Sequence, residues 1–392
     1  MKHNRFLFTI AALLVVAVMG LVGCSDGQQA PASAEQPDAV PTVRQEILDE
    51  LAELRRLAAL PDRGMSTILG HSDAPAIVVP AGSVNALQAA VAAAGNNGKV
   101  ILAAGVHTEN TMVTVSQNGI TIIGENGAIL RSSVLPSGAL TTVVDPAIYV
   151  YNAERVKIWN IDFRPVGTVA GTAVMLENAP KATVGACSIE DFQWGILLHN
   201  ARGATISSNR IVASSEWLTG GLPECDGIIN INGKDVRIAD NDVSNSVLGV
   251  FCSDEDGVFM HNTVHGNFVG VILCCVPDES FRLPSGAIVG SLVSGKKWMV
   301  QGNSATGNFY TGYLVIDGAN HNHLVNNAAY GNGAYDIELL GGTCLFGFFT
   351  PTSFNNTVVV GSHQNITIND FGQNNRIIGH ATVTNNISAP CP

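Results

Sequence analysis

From Ala173 onward the chain writes one order of apolar and polar positions and then repeats it. AVMLENAPKATVGACSI is followed by GILLHNARGATISSNRI from Gly195 and GIININGKDVRIADNDV from Gly227. Laid over one another without gaps, the three share an apolar pair after the first residue, an Asn at Asn178, Asn200 and Asn232, and an apolar-x-x-Asn-x-apolar ending. Weaker copies open at Gly249, Gly270 and Gly312. A unit of about 22 residues cannot bury an apolar face by itself, so neighbouring units must stack, which is the pattern of a solenoid coil.

Side chains alternate faces along a strand, so each leading strand carries an inward and an outward set. Ile196 with Leu198, Ile228 with Asn230, Val250 with Cys252 and Val271 with Leu273 are expected inside, and so, later in the coil, are Ile206, Ile238 and Met260. The outward set reads Tyr149, Met175, Leu197, Ile229, Phe251, Ile272 and Leu314, followed by Tyr151, Glu177, His199, Ile231, Ser253, Cys274 and Ile316. Seven coils at about 4.8 Å make a patch about 30 Å long, more apolar surface than a soluble protein leaves wet. A cover is therefore expected. One candidate is the amphipathic helix at residues 43–62, with Val43, Ile47, Leu51, Leu54 and Ala58 at helical spacing and Pro61 as its stop. The others are a second chain or one of three insertions that interrupt the repeat, at residues 213–226, 276–294 and 341–353.

Asn209, Asn241, Asn262, Asn303 and Asn327 recur at equivalent places near a bend. Stacked amides there can bond to one another and to backbone that the bend leaves unpaired, so they are expected to form a structural ladder. Ahead of the coils, PAGSVNALQAAVAAAGNNGKVILAAGVH from Pro80 reads as a short helix with Ser83 as N-cap, Gly95 as stop, and Val84, Leu87, Ala90 and Val91 on one face. Such a helix would shield the unpaired strand edges of the first coil.

This entry segment and the repeat behind it resemble the pectin-lyase-like superfamily of right-handed parallel β-helices. The resemblance implies an all-β, single-stranded right-handed solenoid over residues 75–388, with an N-terminal capping helix and loop insertions. Members that act on polysaccharides usually do so with charged and aromatic side chains on the outer face of one sheet. In this chain that face is mostly apolar. The enzyme signatures are fragmentary: Glu224-Cys225-Asp226-Gly227 lacks the residues that follow in polygalacturonases, and in Asp145-Pro146 the second Asp of the alginate-epimerase motif is replaced by Ile148.

Lys2 and Arg5 precede an apolar run over residues 6–22, ending in Leu21-Val22-Gly23-Cys24. The segment is similar to a bacterial lipobox, which implies a signal peptide at residues 1–23 and lipid on Cys24. It also implies membrane attachment in the bacterial cell envelope, with Ser25 favouring the outer membrane. Residues 24–42, rich in Pro, Ala, Ser and Gln, are expected to be a disordered tether. The formal charge of −12 argues against nucleic acid as a partner.

One polar constellation remains. Asp254, Asp256, Asp278 and Asp317 fall in turns of successive coils, an oxygen-rich edge suited to Ca²⁺ or to carboxylates that raise one another's pKa and act catalytically. Asp in a turn is also explained by local hydrogen bonds alone. Of the cysteines, Cys187 and Cys252 are expected as buried thiols, while Cys225, Cys274, Cys275, Cys344 and Cys391 lie in or beside loops where one or two bridges could form. Two functions follow from these readings. The first is an envelope-anchored, non-catalytic surface that binds a polysaccharide or an envelope protein. The second is a polysaccharide lyase, hydrolase or C5-epimerase working at the acidic edge.

Overall fold

The computed structural model describes residues 76–384, apart from 137–144, 223, 275, 292–293, 341–343, 346–347, 350–351 and 362–364. The expectations for the signal peptide and Cys24, the tether at 24–42 and the helix at 43–62 lie outside the described residues, as do those for Cys275 and Cys391.

Each coil lays down three short strands. One joins a 12-stranded parallel sheet; the other two join opposite wings of a 19-stranded sheet that wraps two sides of the prism. The first sheet here is the wing containing Pro146–Tyr151, Ala170–Glu177, Asp226–Ile231, Leu248–Cys252, Val269–Leu273 and Thr311–Val315. The second is the 12-stranded sheet, including Thr205–Ser207 and Arg237–Ala239. The third is the wing with Asp162–Pro165, Arg210–Ala213, Asp242–Ser244, Thr263–His265, Ser304–Thr306 and Ala328–Tyr330. Ser188–His199 runs through both wings without a break.

Register is kept coil after coil, so like residues stack: Met175 on Leu197, then Ile229, Phe251, Ile272, Leu314 and Glu338. Inside, Ile196, Leu198, Ile228, Val250, Cys252, Val271 and Leu273 form one continuous core with Ile206 and Ile238, as the alternation predicts. Met260 departs from its expected place. The coil there is one residue shorter, so Ile238 pairs with Phe259, which is fully buried, and Met260 turns outward to pack on Ala239.

The Asn shared by the three clearest copies has a backbone reason. Asn152, Asn178, Asn200 and Asn232 all sit at positive φ, between 50° and 55°, at the turn that ends the first-sheet strand. Among residues with a side chain, Asn tolerates that left-handed conformation well.

The capping helix, α1, spans Leu87–Ala94 and is stopped by Gly95 at φ 67°, whose N–H bonds to Val91. Its start differs from the sequence expectation. Ser83 turns back to the Pro80 carbonyl, and Val84 is 59% exposed because it forms an isolated bridge with Thr108 instead of joining the helix. The open N–H of Leu87 is met by Glu109 Oε1 at 2.9 Å, a tertiary cap from the next coil. Burial raises the pKa of that carboxyl, while the hydrogen bonds it accepts oppose the rise.

Candidate functional site

The outward apolar row of the first sheet forms a second core of its own. Met175 and Leu197 are fully buried, and Tyr149, Ile229, Phe251, Ile272 and Leu314 are no more than 5% exposed. Among the described residues, its cover comes from the insertions. The antiparallel hairpin of Val276–Arg282 and Ile288–Ser291 carries Leu283 at its tip, fully buried in this layer, with Ala287 beside it. The other insertion contributes Trp217, from the short helix α2 at Glu216–Thr219. Trp217 is fixed by its indole N–H, which donates to the Asn245 carbonyl at 2.9 Å.

At its N-terminal end this row turns polar. Tyr149 donates its hydroxyl to Glu177 Oε2 at 2.5 Å, and Ser285, from the hairpin tip, donates to Glu177 Oε1 at 2.6 Å. His199 stands directly beside Glu177 in the next coil. Burial pushes its imidazole pKa down, against the pull of the Glu177 charge. Among the described residues its Nδ1 has no hydrogen-bond partner. Burial and the neighbouring carboxylate push the Tyr149 phenol upward, and Tyr151 stacks on it at 5.3 Å. Base, carboxylate and phenol stand together, yet Glu177 is 2% and His199 6% exposed. These residues were legible as outward positions, but only the fold brings Ser285 across 108 positions of sequence to meet them.

The predicted acidic edge takes a different form. Asp254 accepts the N–H of Glu255 at 2.9 Å, and burial raises its pKa. Asp256 pairs with Lys234 at 3.3 Å, and Lys234 also holds Glu255 at 2.6 Å. Asp317 is 8% exposed and accepts the Cys274 thiol at 3.0 Å; burial again raises its pKa. The side chain of Asp278 lies outside the described residues. Among the described residues, no group of three or more His, Cys, Asp and Glu is placed to hold a metal ion. One carboxylate oxygen of each described member meets a partner within the chain: backbone at Asp254, lysine at Asp256 and thiol at Asp317.

Cys187 and Cys252 are buried free thiols, as expected. Of the cysteines among which one or two bridges could form, Cys225 is also a buried free thiol, and Cys274 is buried. Cys225 sits at the root of a first-sheet strand, where its carbonyl accepts the Val247 N–H at 2.6 Å. Its neighbours Glu224 and Asp226 form a buried, hydrogen-bonded carboxyl pair, and Asp226 also accepts the Leu248 N–H at 2.9 Å. Desolvation pushes Glu224 up to about 6 and Asp226 well above its usual range.

The amides at the bend between the second and third sheets stand in an unbroken ladder. Asn209 donates both its backbone N–H and Nδ2 to Asn241 Oδ1 at 3.0 Å, and the same pair of bonds links Asn241 to Asn262, Asn262 to Asn303 and Asn303 to Asn327. A second ladder, unread in the sequence, runs at the bend between the third and first sheets: Asn267 to Asn308 at 3.2 Å, then Asn308 to Asn332 at 3.0 Å. Its signal was Gly-Asn-Phe at Gly266 and Gly307 and Gly-Asn-Gly at Gly331.

In contrast to the first sheet, the outer face of the third is open and polar. Arg164 bonds to Asp162 at 2.9 Å and shares Glu190 with Arg210, and His265 meets Asp242 at 3.0 Å.

Several known proteins share this architecture. The Streptococcus pneumoniae surface protein and adhesin PfbA aligns with a TM-score of 0.52 at 12% identity, over 80% of this chain and 97% of its own. The Dettilon tailspike protein gives 0.51 at 14%, over 77% and 68%. The A-module of the Azotobacter vinelandii mannuronan C-5 epimerase AlgE4 gives 0.48 at 15%, over 77% and 92%. At such identities the likeness is one of fold alone. No curated protein matches the sequence. Residues 146–329 match the family model described as a right handed beta helix region, and with the stacked parallel sheets around them they show that the fold of this chain is a right-handed parallel β-helix.

Proposed function

We propose that the chain is an envelope lipoprotein, anchored through lipid on Cys24, whose β-helix serves as a non-catalytic binding or scaffold surface for glycan or protein. The observation that carries this reading is the sealed first-sheet face: the row from Tyr149 to Leu314 is no more than 5% exposed beneath the chain's own insertions. A polymer cannot reach side chains buried to that degree, whereas the third-sheet face stays open. The test has two parts. Cells fed a fatty-acid analogue should label the wild-type chain but not Cys24→Ala. The purified protein, offered acidic and neutral polysaccharides with and without Ca²⁺, should bind without generating reducing ends or unsaturated uronates.

A second reading rests on His199, whose Nδ1, without a partner among the described residues, lies beside Glu177 and Tyr149. On this reading the chain is a polysaccharide lyase, hydrolase or epimerase whose hairpin swings aside. Turnover that disappears in both Glu177→Gln and His199→Ala would establish it and displace the first reading.

A further inference from the structure

The second Asn ladder underlies a surface feature that the sealed face lacks. His265, Thr306 and Tyr330 stack in register on the third sheet. The residues that follow them, Gly266, Gly307 and Gly331, therefore form a row along the bend, with φ of 63°, 62° and 69°. In the coil before, the same place is held by Asn245 at φ 62°. The row is bare: a Cβ on Gly266 or Gly307 would find nothing within 4 Å. Aromatic rings flank it. Phe309 is 57% and Tyr330 64% exposed, and Trp217, pinned over Asn245, meets Phe309 edge-on at 6.4 Å.

We infer that this glycine-floored, aromatic-edged strip is a binding site for a neutral, extended glycan of β-linked hexoses lying along the solenoid axis. The inference rests on the non-catalytic binding reading and gives it a location and a ligand class. Three features of the strip select that class. Aromatic faces stack on the apolar face of a pyranose ring, and an exposed aromatic pair otherwise has little reason to stay wet. The coil spacing of about 4.8 Å lies close to the roughly 5 Å repeat of an extended β-linked hexose chain, so successive coils would meet successive sugars over a strip about 14 Å long. The charges nearby are already used: His265 meets Asp242 at 3.0 Å, and beneath the strip Asp336 accepts from Asn332 and Thr367. Among the described residues a uronate polymer would find no unpaired cation there, whereas hydroxyl groups would find backbone and the Thr306 side chain.

Asn245 supplies the decisive substitution, because it shows that this row tolerates Asn at positive φ. Gly307→Asn should fill the strip and leave the fold intact, and Gly266→Asn provides an independent repeat. The full-length protein in detergent is titrated calorimetrically with cellohexaose, chitohexaose and hexagalacturonate, alongside thermal melts of each variant. The expected result is binding of the neutral hexamers in preference to the acidic one. Gly307→Asn, Phe309→Ala and Tyr330→Ala should each weaken that binding at least tenfold, with melting temperatures unchanged. Neutral-hexamer binding that survives all three substitutions overturns the inference, and so does failure of the wild type to bind any neutral hexamer. Either of those results leaves the binding reading standing, whereas cleavage of a probe that is abolished by Glu177→Gln overturns that reading.

Discussion

The first and third sheets are built from the same coils, often from strands a few residues apart, yet their outer faces have opposite fates. On the first, the stacked row from Met175 to Leu314 is apolar and buried under insertions. On the third, the equivalent row runs through Ser188, Arg210, Asp242, Thr263 and Ser304, all of them exposed or half-buried. The inner core does not distinguish the two, since both contribute apolar residues to it. The outward rows do, because stacking turns one residue's preference into a stripe several coils long. An apolar stripe must be covered. Both insertions that cover it adjoin first-sheet strands: one leaves the third-sheet strand Arg210–Ala213 and returns at Asp226–Ile231, and the other leaves just after Val269–Leu273.

The largest expected effect comes from placing a charge under the cover. Leu283→Asp should cost about 3–5 kcal/mol, since it removes a fully buried anchor and strands a carboxylate among Met175-type neighbours. Thermal and urea melts measure it, and a loss below about 1 kcal/mol would mean that the hairpin tip is not what seals the face. Next is the seam between the second and third sheets. Asn262→Ala removes the acceptor for two donors of Asn241 and the amide that Asn303 receives, all buried. The expected cost is about 2–4 kcal/mol at roughly 1 kcal/mol per lost bond, with the further penalty of unpaired groups.

A pH profile sharpens the comparison further, because the covered side holds titratable groups out of water. Glu224 is raised from its usual 4.5 to about 6, and Asp226 is raised as well. Below about 4.5 both the folded and the unfolded chain hold the Glu224 proton, and its contribution is level. As pH rises toward 6 the unfolded chain releases that proton first, so stability falls over this window. Glu224→Gln should flatten the fall, and melts at pH 4, 5, 6 and 7 will show whether it does. His199 acts in the opposite sense: its pKa is depressed, so below its usual 6.5 the unfolded chain takes up a proton that the folded chain resists, and stability drops on the acid side. The smallest effect belongs to the open face. Thr263→Ala and Ser304→Ala should each change stability by less than about 0.5 kcal/mol. A larger loss would show that the third face is structurally committed and is not a free surface.

Much of this contrast is legible in the chain. The 22-residue spacing, the inward apolar pairs and the outward apolar row are direct consequences of alternation along a strand. The Asn at each turn reflects a left-handed backbone that few other residues accept. Local chemistry of this kind survives the absence of coordinates. The misreadings came where one residue of length or one long-range contact decided the outcome. A coil one residue short moved Phe259 into the core and Met260 out of it. Ser83 was a sound local N-cap, but Glu109 arrived from the next coil to meet the helix instead. Asp254, Asp256 and Asp317 share a kind of turn, and only the fold shows what each meets: the Glu255 N–H, Lys234 and the Cys274 thiol.

What the sequence determined alone was periodicity: which residues stack, which face each row points to, and that one face could not stay exposed. What only the tertiary structure decided was which segment covers that face, which donor meets Glu177, and where a row of glycines lies bare between aromatic rings. The division has a physical cause. Periodic backbone geometry is set by neighbours within a coil, whereas the partner of a buried polar group or of an apolar stripe is chosen among segments far apart in the chain. That choice is made by fit and by the cost of leaving either group wet or unpaired.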